Sequence, residues 1–165
     1  MKLGYGVAAL AAAGTLLASQ AGAQEAVVGV ANAEAAFTSP DPVLNRNKQA
    51  AYHIMKDLLE ANHWDEAGNW LTQAYHQHNP NAASGLAGVV YYFTQVRKVA
   101  PTPVPAKLGT PIAAVVAEGD LVMVATPRVV KDSKDPTKTY TTTWFDMWRF
   151  VDGKADEHWD GATKP

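Results

Sequence analysis

The stretch from Thr139 to Gly161, TYTTTWFDMWRFVDGKADEHWDG, constrains the fold more than any other part of the chain. Two β-prone runs flank Asp152-Gly153, a dipeptide suited to the left-handed backbone of a tight hairpin turn. Trp144, Phe145, Trp148, Phe150 and Trp159 make these runs strongly apolar, yet Asp146, Glu157, His158 and Asp160 are set among them. A carboxylate in an apolar wall costs free energy unless it is partnered or functional. The rest of the chain therefore reads as walls around this hairpin.

Two registers compete. With a two-residue loop, Asp146 faces Trp159, and His158 lies on the other side. With a three-residue loop, Val151-Asp152-Gly153, Phe150 pairs with Lys154, Trp148 with Asp156, Asp146 with His158 and Trp144 with Asp160. One face then gathers Asp146, His158 and Asp160, and the opposite face carries Phe145, Met147, Arg149, Glu157 and Trp159. A slip of one residue flips every side chain, so the choice decides what the hairpin can do. The longer loop is preferred because it brings Arg149 diagonally near Glu157 and collects the other ionisable groups on one side.

Ahead of the hairpin, Lys2, the apolar run Val7 to Leu17 and Ala21-Gly22-Ala23 have the pattern of a cleavable secretory signal peptide over residues 1–23. The expected location is periplasmic or secreted. Loss of Lys2 takes the net charge from −2 to −3. No basic stripe exists to meet phosphates, so no nucleic-acid partner is expected, and no membrane contact is expected after cleavage. The chain has no cysteine, which excludes disulfides, thiol nucleophiles and Cys-based metal sites.

Residues 24–45 read as an extended, partly mobile lead-in, and the domain as residues 46–162. Asn47 is the expected cap of an amphipathic helix carrying Ala51, Ile54, Met55, Leu58 and Leu59. Asp65 is expected to cap a shorter helix with Ala67, Trp70, Leu71 and Ala74 on its inner stripe. A short strand follows at Tyr75 to Pro80, and Ser84 is expected to cap a third helix reaching about Lys98. From Ile112 onward the pattern is β: Ile112 to Ala117, Leu121 to Val130, a polar loop at Lys131 to Lys138, then the hairpin. Three N-terminal helices packed against a cone-shaped, curved antiparallel sheet make an α+β fold, with a natural ligand cavity between the layers.

The pieces YHQHNP (Tyr75 to Pro80), VAEGDLV (Val116 to Val122), FDMWR (Phe145 to Arg149) and DGKADEHWD (Asp152 to Asp160) occur in an order that resembles the SnoaL-like polyketide cyclases. That family lies in the nuclear transport factor 2-like, cystatin-like superfamily, and the resemblance covers roughly residues 46 to 162. It implies an Asp near the C-terminus acting as acid and base in an intramolecular aldol closure without a metal. Asp160 matches that position. Trp144 and Asp146 stand where the family carries polar helpers on the preceding strand.

Removing a proton next to a carbonyl needs a base near the carbon and a donor near the oxygen that becomes an enolate. Asp160 or Asp146 is the expected base, and His158 or His78 the expected proton donor. Trp144, Trp148, Tyr75 and Trp70 are the expected substrate walls. The same residues also support plainer readings, with Asp146 and His158 as a register-fixing pair and Asp160 as a turn cap. His76 and His78, two apart on a strand, would share a face and could join Asp146 or His158 on a metal; the expectation adopted is no metal and no cofactor. Three functions follow: an exported isomerase or lyase acting on a small hydrophobic carbonyl compound, a non-catalytic binder of such a molecule, or an interaction module. Phe145, Met147 and Trp159 on the outer face suggest a homodimer. An open pocket based on Asp146, His158 or Asp160 favours the first two functions; a pocket plugged by Trp144 and Trp148 favours the third.

Overall fold

The computed structural model describes residues 24–164, so the signal segment expected at residues 1–23 lies outside the described residues. The chain forms α1 (Ala33–Ala36), α2 (Pro42–His53) running on as a π-helical segment (Ile54–Glu60), a 3-10 turn (Trp64–Asn69) and β1 (Leu71–Gln77). Then come α3 (Leu86–Tyr91), with its own π-helical continuation (Tyr92–Val96), and β2 (Ala114–Glu118), β3 (Leu121–Lys131), β4 (Thr139–Val151) and β5 (Lys154–Asp160). The five strands form one sheet in the order β1-β5-β4-β3-β2. The fold is α+β, with helices over one face of a curved sheet. Among the described residues no helix is long and apolar enough to cross a membrane.

The meander from β2 to β5 is antiparallel, as the strand pattern predicts, but β1 joins it parallel to β5. A parallel neighbour needs a long crossover, and here α3, the proline-rich segment and three strands separate the two in sequence. The first long helix starts earlier than Asn47. Asp41 Oδ1 accepts hydrogen bonds from the backbone N–H groups of Val43 and Leu44 at 2.8 and 2.9 Å, and Pro42 fills the first helical position. Asn47 lies inside the helix and is buried. The segment read as a lead-in also contributes to the core: Phe37 is fully buried and meets Tyr52 edge-on at 5.4 Å. The helix expected after Asp65 is only the 3-10 turn, because Leu71 already belongs to β1.

The core lies between the helices and the concave sheet face. Ile54, Leu58, Leu71, Val89, Val122, Val124, Trp148 and Phe150 fill it. Alternation along β3 and β4 sets this face: Val122 pairs with Trp148 and Val124 with Asp146, all pointing inward, while Met123 pairs with Met147 on the outside.

The hairpin register is neither of the two expected. The loop has two residues, since Val151 pairs with Lys154, and Asp152 and Gly153 take positive φ of 50° and 80°. Continued unbroken, that register would set His158 opposite Met147 on the outer face. Between Phe150↔Ala155 and Arg149↔Glu157, however, β5 carries one extra residue, Asp156. This β-bulge shifts every later pair by one: Trp148 faces His158, and Asp146 faces Asp160. The inward set is the one the three-residue loop predicts, but it is reached by a different route. Asp156 is anchored across the sheet, where its Oδ1 accepts a 2.6 Å hydrogen bond from the Thr72 hydroxyl of β1.

Candidate functional site

A cavity of about 610 Å³ opens between the helices and the concave face. Ile54, Leu59, Tyr92 and Phe93, from the two π-helical segments, line its helical side, together with Trp64, which stacks on Phe93 at 3.7 Å. Trp144 and Trp148 line the sheet side without filling the space. Asp146, His158 and Asp160 stand among them.

The three polar side chains converge, each offering one ligand-type atom within 4.8 Å of the others. His158 Nε2 lies 3.0 Å from Asp146 Oδ1, and both residues are buried. His158 Nδ1 lies 2.8 Å from Gln77 Oε1. The amide of Gln77 is oriented by the backbone, because the same Oε1 accepts the N–H of Asn79 at 2.9 Å. A carbonyl oxygen only accepts, so Nδ1 carries a proton. Nε2 then faces a carboxylate oxygen, and that contact needs a proton of its own. One proton therefore lies between His158 and Asp146, whichever of the two holds it.

Asp160 is set by the same logic. Asn79 Oδ1 accepts the backbone N–H of Asn81 at 3.0 Å, which turns the Asn79 NH₂ toward Asp160 Oδ2 at 2.7 Å. The backbone N–H of Ala162 donates to Asp160 Oδ1 at 2.9 Å. Asp160 is thus held by two donors and gives up no proton to either. β1 reaches β5 in the right place for this, since Gln77 pairs with His158. Nothing local to Gln77 or Asn79 marks them as site residues, and a sequence reading passes over both; Asn-Pro at the end of a strand is their only signal.

Tyr75 closes the base of the cavity. Burial, foremost, and the nearby Asp146 and Asp160 push its hydroxyl well above the ordinary tyrosine value, against an opposing hydrogen bond with Trp148. It keeps its proton, and no acceptor among the described residues takes that proton in a side-chain hydrogen bond. Tyr75 stands as a neutral donor facing the space beside the carboxylates.

Two expected site residues lie elsewhere. His78 is exposed on the outer face, 2.8 Å from Glu157 and stacked on Trp159 at 5.2 Å. Residues of a strand alternate, so when Gln77 and Asn79 point inward, His76 and His78 point outward. Neither can meet Asp146 or His158 on a shared metal. Trp70 ends the 3-10 turn and stacks on His53 at 4.2 Å, away from the cavity. Of the eight residues expected, Asp146, His158, Asp160, Trp144, Trp148 and Tyr75 do line the cavity. Asp146, His158 and Asp160 are also the one group of three described residues whose ligand-type atoms cluster closely enough to share a cation, with His158 Nε2 and Asp146 Oδ1 already in contact.

A family model described as a SnoaL-like domain matches residues 50–158. Among solved structures, a protein of unknown function with a cystatin-like fold from Xanthomonas campestris is 15% identical, over 72% of this chain and 91% of that one, with a TM-score of 0.51. A candidate polyketide cyclase from Acidithiobacillus ferrooxidans is 14% identical, over 70% and 86% of the two chains, with a TM-score of 0.49. TerC, co-crystallised with polyporic acid, is 19% identical, over 72% and 92%, with a TM-score of 0.48. No curated protein matches. At such identities a structural likeness speaks for the fold alone, whereas the family match spans most of the domain and both strands of the hairpin: this chain belongs to the SnoaL-like domain family.

Proposed function

We propose that the protein is an acid–base catalyst, of isomerase or lyase type, that acts on a small hydrophobic carbonyl compound. The observation that carries this reading is the convergence of Asp146, His158 and Asp160 within 4.8 Å at the base of an aromatic-walled cavity. Asp160 is the base: its two oxygens accept hydrogen bonds from Asn79 and Ala162, whereas Asp146 is already engaged with His158. Tyr75, protonated and facing the same space, donates to the carbonyl oxygen as negative charge builds on it. His158 replaces neither partner; oriented by Gln77, it fixes Asp146. The proton taken by Asp160 returns to carbon at the end of the cycle. The same proposal takes the chain as exported, from the pattern of residues 1–23, and as a homodimer through the outer face bearing Phe145, Met147 and Trp159.

The test is solvent deuterium exchange at the α-carbon of a panel of aryl ketones and β-diketones, followed by NMR. Asp160→Asn is expected to slow exchange by about 10²- to 10⁴-fold while leaving the unfolding transition in place. If no ketone exchanges faster than in buffer, or if Asp160→Asn and Asp146→Asn both match the parent, the catalytic reading fails. A binding function without turnover is then the better one, and one observation favours it independently: each of the three polar groups is already satisfied from within the protein.

A further inference from the structure

The cavity separates its charges. Its acidic lining residues are Asp146 and Asp160, each already engaged, by His158 and by Asn79. Its cationic lining residues are Arg97, at the end of the helical layer, and Arg128 on β3, and both are exposed. Among the described residues neither arginine makes an ion pair or a side-chain hydrogen bond. Arg128 is nevertheless held in place, its guanidinium lying 4.8 Å from the centre of the Trp144 ring. Stacking of this kind fixes the plane of the guanidinium and leaves its N–H edge open.

An exposed arginine alone implies no ligand. Two exposed arginines that line one hollow, whose acidic groups are the buried Asp146 and the half-buried Asp160, define a direction within it. An anionic group entering the hollow is repelled by Asp160 and attracted to the arginines, and low-dielectric walls strengthen both effects; the Asp146–His158 pair, sharing its proton, adds little net charge. From this we infer that the ligand is an apolar molecule bearing a carboxylate or similar anionic group, with that group at the rim between Arg97 and Arg128 and the reactive carbonyl directed to Asp160. The inference rests on the cavity reading of the proposed function and adds the ligand's charge and orientation to it.

Two fluorescent probes with nearly the same aromatic body separate the possibilities: 8-anilinonaphthalene-1-sulfonate, which is anionic, and N-phenyl-1-naphthylamine, which is neutral. Titration of each, with the indole N–H resonances of Trp144 and Trp148 reporting the place of binding, is expected to show tighter binding of the sulfonate. Arg97→Gln with Arg128→Gln is expected to weaken the sulfonate by about tenfold or more, from the loss of charge-assisted hydrogen bonds. Binding of the neutral probe is expected to change less than about twofold, within the scatter of a surface substitution. Added salt should weaken only the sulfonate. Equal affinities for the two probes, or equal losses in the double variant, overturn the inference and leave the cavity reading standing. If neither probe shifts the Trp144 and Trp148 resonances, the hollow is not accessible, and both readings fall.

Discussion

Strand β5 takes part in two histidine–carboxylate contacts, one on each face of the sheet. Inside, His158 meets Asp146 at 3.0 Å with side-chain exposures of 8% and 12%. Outside, His78 meets Glu157 at 2.8 Å with exposures of 49% and 24%. The shorter contact is the less consequential one. Water and mobile ions surround the outer pair, which also stacks on Trp159 and shares Glu157 with Arg149. Such pairs contribute little to stability, because solvent screens them and the side chains lose freedom in forming them. The inner pair is largely shielded from solvent, so removing one partner leaves the other poorly compensated. Burial, not distance, gives one pair a role and leaves the other as surface.

The comparison breaks most severely if the bulge is altered. Insertion of one alanine between Glu157 and His158 would turn His158 and Asp160 outward and bring Trp159 against Asp146. The expected cost exceeds about 4 kcal/mol in urea unfolding, since it strands a buried carboxylate and overpacks the core. Deletion of Asp156 is the informative opposite. It removes the extra residue without changing any later pair, so it should lose the Thr72 contact but keep the inward set. If the deletion variant loses the site as completely as the insertion variant, the assignment of faces to the bulge is wrong.

Next in size is the exchange of partners. His158→Ala is expected to destabilise the fold by about 3–5 kcal/mol, as the cost of an uncompensated buried charge. His78→Ala should leave both the melting curve and the deuterium exchange unchanged. Similar behaviour of the two variants would mean that the faces are not as different as their burial implies.

Gln77→Ala should cost about 1–2 kcal/mol, the price of one unsatisfied buried donor. Its more specific readout is ¹⁵N NMR of His158, where the proton now fixed on Nδ1 should no longer be confined there. An unchanged ring spectrum would remove Gln77 from the set of positioning residues.

The smallest effect concerns pH and the outer face. His78, foremost, and Arg149 hold the Glu157 carboxyl below its ordinary value of 4.5, with partial burial opposing them. A depressed folded value means that the contribution is present above the unfolded value and is lost as the pH falls through the lower folded one. Glu157→Gln should therefore differ slightly from the parent near neutral pH and converge with it in acid, and salt should shrink the difference. A gap that widens on acidification would contradict this sign.

Much of the fold could be read from residue patterns. The limits of β3 and β4, the Asp152-Gly153 turn and the apolar stripe running from the end of α2 through its π-helical continuation all follow from alternation or helical spacing, which are local. Asp41-Pro42 was equally legible as a cap and first helical residue, but the prolines beside it read as a lead-in. The site was legible in part. Asp146, His158 and Asp160 stand out because charged groups in an apolar hairpin need a reason. Gln77 and Asn79 do not stand out, since uncharged amides are common at strand ends. His78 misled for the complementary reason: an imidazole draws attention whichever way it points.

The sequence by itself determined the order of the strands in the β2–β5 meander, the position of the turn, the absence of thiol chemistry and the presence of acidic groups and an imidazole within one hairpin. Only the tertiary structure decided which way those groups face. That choice depends on one extra residue, Asp156, held by a hydroxyl 84 positions away on a strand that docks in parallel. It depends equally on that docking to set Gln77 beside His158. Alternation fixes faces only relative to a register, and the register is set by contacts between distant segments that no local pattern encodes.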